Sequence, residues 1–274
     1  MIIDAHTHIY PEKSADRAIA KLEMASGIKA KVNGRKDGLI QSMKEAGVDY
    51  SLLLPVATSP SQVDTINEEA AETNASAPET GLLSFGGIHP DTPDYKEVLR
   101  RIKSLGLKGI KIHPDYQKVF FDDIRWKRIV LEASELGLYI MVHAGVDIGL
   151  PEPVHCRPDH IIEMVKETGS DRLILAHMGG WRLWDEVKDK LVDQPVFLDT
   201  AFSLSCMPDV DGMLTKDAFV ELVRLFGAER IVFGTDSPWC AQRECVEWIR
   251  GTALTEKEKE QIFSGTIKKL FDLD

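Results

Sequence analysis

What most constrains this chain is an alternation repeated along its whole length. Short, near-continuously apolar runs occur eight times, at residues 1–6, Tyr50–Val56, Leu82–Gly87, Leu107–His113, Leu138–His143, Arg172–His177, Val196–Thr200 and Arg230–Thr235. Stretches of helical period separate them: Gly38–Ala46, Gln62–Ser76, Tyr95–Leu105, Arg125–Leu136, Pro158–Thr168, Leu183–Leu191 and Lys216–Phe226. A last helical stretch, Thr255–Phe271, opens with the hydroxyl-then-Glu spacing of a capping box at Thr255 and Glu258. Apolar runs without polar alternation suit parallel strands covered on both faces. Eight strand–helix units in 274 residues predict an α/β protein, a (β/α)8 TIM barrel forming a single domain over residues 1–274. Gly47, Gly106, Gly137, Gly169 and Gly227 stand where a helix must stop before the next strand. No Gly-x-Gly-x-x-Gly follows an early run, so an open dinucleotide-binding sheet lacks its main sign.

Charge narrows the partners. Lys and Arg number 33 against 44 Asp and Glu, a net charge of −11. Such a surface repels phosphate backbones and anionic headgroups, so neither nucleic acid nor membrane is the expected partner. No apolar run nears the ~20 residues that span a bilayer. The four cysteines, Cys156, Cys206, Cys240 and Cys245, form no Cys-x-x-Cys pair and read first as small buried hydrophobes. Free thiols, with Met1-Ile2-Ile3 running straight into Asp4, lead to the expectation of a cytoplasmic protein. A homodimer is the base-rate assembly.

Active sites of such barrels lie at the carboxyl ends of the strands. Seven of the eight histidines fall there or just beyond. His6 and His8, at i and i+2 of the first run, point to one face and can converge on one cation. His143 ends the fifth run on the face of Tyr139 and Met141 and is a natural further ligand. Asp236 follows the apolar Ile231–Thr235, where a carboxylate is costly unless a cation awaits it. It reads as a metal ligand, as a base for a metal-bound water, or as both. His177 is either a further ligand or a general acid/base.

Other residues carry two or more readings. Lys111 shares a strand face with Gly109 and His113 and points into the barrel if His113 faces the site. It either binds substrate and stabilises developing negative charge, or is carboxylated and bridges two metals, or pairs with Asp4 or Asp199. His89 and His113, each in an Ile-His-Pro, line a pocket or stabilise their loops. Trp181, Trp184 and Trp239 form an apolar wall for an organic substrate or pack the barrel. Arg157 clamps a substrate carboxylate or lies on the surface. His160 reads as a surface residue. The segments 11–35, 144–158 and 201–215 are the loops expected to shape or cover the site.

Taken together, Ile3-Asp4-Ala5-His6-Thr7-His8, Gly109-Ile110-Lys111-Ile112-His113-Pro114, His143, His177-Met178-Gly179-Gly180 and Phe233-Gly234-Thr235-Asp236-Ser237-Pro238 resemble the amidohydrolase superfamily. Within it the chain is similar to the amidohydrolase-related group, which holds both hydrolases and metal-dependent decarboxylases like aminocarboxymuconate semialdehyde decarboxylase. The resemblance implies that His6, His8, His143 and Asp236 bind one divalent metal, with zinc the expected ion, and that His177 is the acid/base beside it. In binuclear relatives a carboxylated lysine at the position of Lys111 bridges two metals, and the counterparts of His143 and His177 bind the second.

The leading expectation is hydrolysis of an amide, ester or lactone bond in a small molecule by a metal-activated water. The alternative is non-oxidative decarboxylation of an aromatic or unsaturated carboxylic acid, a lyase reaction at the same site. A non-catalytic metal- or ligand-binding barrel is the third reading. It leaves the spare acid/base unexplained.

Overall fold

The computed structural model describes residues 1–207 and 209–272; Pro208, inside the 201–215 segment, lies outside the described residues. Each of the eight apolar runs contains a strand, and neighbouring strands pair in parallel. The strands are β1 (Ile3–Thr7), β2 (Tyr50–Leu53), β3 (Leu82–Ser84), β4 (Gly86–Gly87), β5 (Gly109–Ile112), β6 (Tyr139–Val142), β7 (Leu173–Leu175), β8 (Val196–Asp199) and β9 (Ile231–Val232). The chain groups into two compact units.

The first unit comprises Met1–Leu53, Ile148–Leu150 and the chain from Leu198 onward. Here β1 pairs with β2, Asp4 opposite Ser51, and β8 pairs with β9, Asp199 opposite Val232. The segment after β9 runs along β1: Ala5 N–H donates to Phe233 O at 2.7 Å and Asp236 N–H to His6 O at 2.8 Å. Gly234 is what permits this approach. A Cβ there would sit 2.9 Å from that of His6, closer than side chains tolerate. The segment 11–35, expected as a loop, carries the helix Ala15–Ser26, stopped by Gly27 at φ 74°. The Thr255–Glu258 capping box forms as the sequence predicts. The following helix is not regular, however: a π turn at Gln261–Gly265 interrupts it. There the Ile262 carbonyl accepts from Phe233 N–H at 3.0 Å, so it also serves the end of β9.

The second unit comprises Leu54–Asp147 and Pro151–Phe197. Its strands β4, β5, β6 and β7 pair in sequence order. Lys111 lies between Gly87 and Met141 and is 1% exposed. The third apolar run is split at the buried Phe85. Two asparagines of the helix Val63–Ala75 serve the backbone around the split. Asn74 brackets Ser84, and Asn67 accepts from Gly87 N–H and donates to its carbonyl. Hydrophobic period alone does not show such a break, because the polar groups that repair it come from another element. The five helix-stopping glycines all take positive φ.

Candidate functional site

In the first unit the sequence places the donors by short-range geometry. Extended backbone puts His6 and His8 on one face, and their Nε2 atoms lie 3.1 Å apart. Asp236 Oδ1 lies 3.1 Å from His8 Nε2 and 3.6 Å from His6 Nε2. The His6 ring is fixed from behind: its Nδ1 is 2.6 Å from Asp199 Oδ2. A proton on Nδ1 is therefore held by the carboxylate, which leaves the Nε2 lone pair directed at His8 and Asp236. Three donor atoms within 4.8 Å of one another, two imidazole nitrogens and one carboxylate oxygen, fit a divalent cation.

Asp236 reaches this position through a left-handed backbone, φ 65°, which a non-glycine residue adopts only when its surroundings hold it there. The Asp4 carboxylate supplies part of that hold. It accepts from Thr235 Oγ1 at 2.6 Å, Thr235 N–H at 3.0 Å, Gln242 Nε2 at 2.7 Å and His6 N–H at 3.2 Å. Complete burial nevertheless pushes the Asp4 carboxyl up to about 7, against those four hydrogen bonds. Burial and the nearby Asp236 carboxylate push the Tyr10 phenol up, so it stays a neutral hydroxyl. Sequence reasoning passes over Tyr10, and it brings in Asp199 only as a partner for Lys111 rather than as the group that orients His6.

The second unit gathers the remaining predicted histidines. His143 Nδ1 lies 2.9 Å from His177 Nε2, a distance that requires a proton or a cation between the two nitrogens. His177, like Asp236, has a left-handed backbone, φ 61°, in the turn after β7, and its carbonyl accepts from Trp184 Nε1 at 3.2 Å. His113 stacks on His143 with centroids 4.0 Å apart and planes 12° apart, and on Tyr116 with centroids 3.8 Å apart. His113 Nε2 lies 3.5 Å from Asp147 Oδ2. His143 Nε2 lies 3.9 Å from Asp115 Oδ2. Asp115 Oδ1 is bound by His155 through backbone N–H and ring Nδ1. Neither Asp115 nor Asp147 stands out in the sequence. Asp115 sits one residue past a helix-starting proline, where a carboxylate is common for capping alone.

The residues with two readings divide. Both Ile-His-Pro histidines stabilise their own turns: His89 Nδ1 accepts from Asp91 N–H at 3.1 Å and His113 Nδ1 from Tyr116 N–H at 3.4 Å. Burial lowers the basicity of His89. Arg157 pairs with Glu186 and precedes the helix Pro158–Thr168. Trp181 is 1% exposed, with the Arg182 guanidinium over its ring at 4.3 Å, so it is packed into the core. The turn that carries it crosses Gly145, where a Cβ would fall on the Trp181 backbone nitrogen. His160, expected on the surface, is half-buried, and its Nδ1 accepts from Arg157 N–H at 3.2 Å. Cys156, Cys240 and Cys245 are buried, as their residue type suggests, and Cys206 is half-buried, 3.6 Å from Cys245.

The family described as Amidohydrolase matches residues 3–273. The chain belongs to the amidohydrolase family. Among curated proteins, gamma-resorcylate decarboxylase of Polaromonas sp. strain JS666 is 25% identical over 114 residues. That alignment spans 38% of this chain and only 35% of that relative. Among solved structures, 2,6-dihydroxybenzoate decarboxylase from Rhizobium aligns at TM-score 0.72 and 16% identity, covering 100% of this chain and 99% of the other. Dihydroxybenzoic acid decarboxylase from Polaromonas sp. JS666, with bound manganese and the inhibitor 2-nitroresorcinol, aligns at TM-score 0.73 and 16% identity, covering 99% and 97%. At TM-scores near 0.7 over the whole chain, the fold is the TIM-barrel fold of these amidohydrolase-superfamily enzymes, as the eightfold alternation predicts. This amidohydrolase-family chain is an enzyme with a donor set for a divalent metal. Among the described residues no helix is long and apolar enough to cross a membrane.

Proposed function

We propose that this enzyme is a metal-dependent, non-oxidative decarboxylase of a hydroxylated aromatic carboxylic acid. The observation that carries the metal-dependent part is the convergence of His6 Nε2, His8 Nε2 and Asp236 Oδ1, with Asp199 holding the His6 ring in the ligating tautomer. Decarboxylation is favoured over the hydrolysis that the motifs first suggest because the curated relative and the two solved structures named above are decarboxylases. The fold alone does not carry an activity, so the choice rests on a direct assay.

In the net reaction the bond from ring carbon to carboxylate breaks, its electron pair stays on the ring carbon, and that carbon takes a proton as CO2 leaves. A bound divalent cation would supply charge neutralisation and orientation for the substrate oxygens. His6, His8 and Asp236 would hold it, and the family resemblance adds His143 as a further ligand. The chain itself must deliver one proton. His177 is the proposed donor: its Nε2 proton rests against His143 Nδ1 at 2.9 Å without metal and is released from that contact when His143 ligates the ion. Lys111, fully buried on β5, is proposed to offset negative charge on the substrate. If it is instead carboxylated, the intact protein is heavier by one CO2. Zinc is the first ion to test and manganese, present in a similar structure, the second.

The deciding experiment incubates the metal-loaded enzyme with 2,6-dihydroxybenzoate and other hydroxybenzoates, following CO2 release and the decarboxylated phenol. Release of both, lost in Asp236→Ala, is the expected result. Acid release from lactones, esters or amides, with no CO2 from any benzoate, would return the enzyme to the hydrolases.

A further inference from the structure

Within the second unit's histidine cluster, Asp115 is a carboxylate with an oxygen left over. Its side chain is 1% exposed. Oδ1 takes two hydrogen bonds from His155, while Oδ2 is buried with no hydrogen-bond partner and faces His143 Nε2 at 3.9 Å. A carboxylate oxygen removed from water and left without a donor is costly, so its position calls for a reason.

Two reasons compete. A cation held jointly by His113, Asp115 and His143 would satisfy Oδ2, and their ligand atoms do lie within 4.8 Å of one another. The rings argue against it. His113 and His143 are stacked, 4.0 Å between centroids and 12° between planes. Imidazole lone pairs lie in the ring plane, so those of stacked rings run parallel and do not meet at one ion about 2.1 Å from each nitrogen. His113 also has a carboxylate of its own, with Asp147 Oδ2 3.5 Å from its Nε2.

We propose that Asp115 is the positioning residue of His143: Oδ2 accepts a hydrogen bond from Nε2–H, which fixes the ring so that the Nδ1 lone pair accepts from His177 Nε2 without metal and serves the ion when metal is bound. The present 3.9 Å is an ion-pair distance, and a ring shift of about 1 Å brings it into the hydrogen-bonding range. The first unit contains the same device in finished form, with Asp199 against His6 Nδ1 at 2.6 Å. The two differ in which nitrogen is left to ligate: Nε2 on His6, Nδ1 on His143. The inference deepens the proposed function, since it rests on His143 being a metal ligand, and it names the atom that ligates.

The test uses full-length protein labelled with 15N-histidine, with His143 resonances assigned by their loss in His143→Gln. In metal-free wild type the expected signature is a protonated Nε2 and an unprotonated Nδ1. In Asp115→Asn, Nε2 loses its carboxylate acceptor and the two tautomers mix. In parallel, Zn2+ affinity by chelator competition is expected to fall by about 10- to 100-fold in Asp115→Asn and to recover in part in Asp115→Glu. The absorption spectrum of the Co2+ form should shift with it. His155→Asn, which removes the ring partner of Oδ1 but leaves Oδ2 in place, should change affinity by less than about threefold. Wild-type protein that binds metal, with Asp115→Asn unchanged in tautomer, affinity and Co2+ spectrum, overturns the role of Asp115. Wild-type protein that binds no divalent metal instead overturns the metal reading beneath it. If Asp115→Asn fails to fold, the tautomer in wild type decides alone, and a protonated Nδ1 refutes the proposal.

Discussion

The histidines of the two units are oriented by the same chemistry at different degrees of completion. In the first unit, Asp199 grips His6 at 2.6 Å and the Nε2 atoms of His6 and His8 already converge with Asp236. In the second, His143 touches His177 at 2.9 Å, but its carboxylate stands off at 3.9 Å and its ring is shared with the stacked His113. The first cluster draws two of its three donors from residues 6 and 8, within β1 and just past its end, where a period of two fixes their relative placement. The second gathers its residues from three stretches, 113–115, 143–155 and the turn at 177, so its geometry depends on several loops at once. A cation therefore finds the first cluster largely preorganised, and the second is the cluster that ligand binding must tighten.

The largest expected effect breaks the first cluster outright. His6→Ala or Asp236→Ala should abolish turnover, by at least about 10³-fold, and strip the protein of bound metal. Metal analysis beside the CO2 assay checks both, and a fully metallated, fully active variant would sink the assignment. His143→Ala, by the comparison, should weaken metal binding less than either.

A second prediction concerns Asp4, beneath the first cluster. Its carboxyl is raised from an ordinary 3.8 to about 7 in the folded protein. The unfolded chain then releases this proton at lower pH than the folded one. Stability is fully retained below about pH 4, falls as pH rises toward 7, and is flat above it. A rise of that size corresponds to at most about 4 kcal/mol of stability lost across the window. Asp4→Asn should remove this slope, and Gln242 can turn its unpartnered Oε1 toward the new amide. Denaturant midpoints of both proteins between pH 4 and 8, with chelator present to keep metal binding out, give the comparison. Parallel pH profiles would show that the four hydrogen bonds to Asp4 outweigh its burial.

Asp199→Asn sharpens the contrast between the clusters. It leaves every ligand in place and disturbs only the tautomer of His6. Metal affinity should fall by about 10- to 100-fold with the fold intact. An equal fall in Asp115→Asn would make the two carboxylates equivalent devices. A much smaller one would mean that His177 rather than Asp115 fixes the His143 ring.

The fold is open to sequence reasoning because a parallel strand buried on both faces leaves an unbroken apolar run, and all eight runs hold strands. The split at Phe85 and the π turn at Gln261–Gly265 are not, since each depends on a hydrogen bond from a distant element. The same division holds in the site. His6, His8 and Asp236 can be placed from strand period and strand ends. Asp115 and Asp147 cannot, because an aspartate in a loop has the same sequence signature whether it caps a helix, faces water or orients a histidine. Tyr10 matters only through a burial that no local pattern announces.

The smallest expected effect concerns Arg157, for which the sequence allows either a substrate clamp or a surface role. Its guanidinium is engaged by Glu186 and its side chain is 38% exposed. An exposed arginine with its own carboxylate partner has little charge to spare for a substrate, and such pairs contribute only about 0–1 kcal/mol to stability. Arg157→Ala should therefore leave kcat and KM within about twofold and shift the denaturation midpoint slightly. The clamp reading predicts a different split: KM for a carboxylate substrate rises by an order of magnitude or more while stability barely moves, because a bidentate contact to the substrate is lost and nothing in the resting fold depends on it. Steady-state kinetics on the hydroxybenzoate that the enzyme turns over separates the two, and a raised KM would mean that Glu186 releases Arg157 when substrate binds.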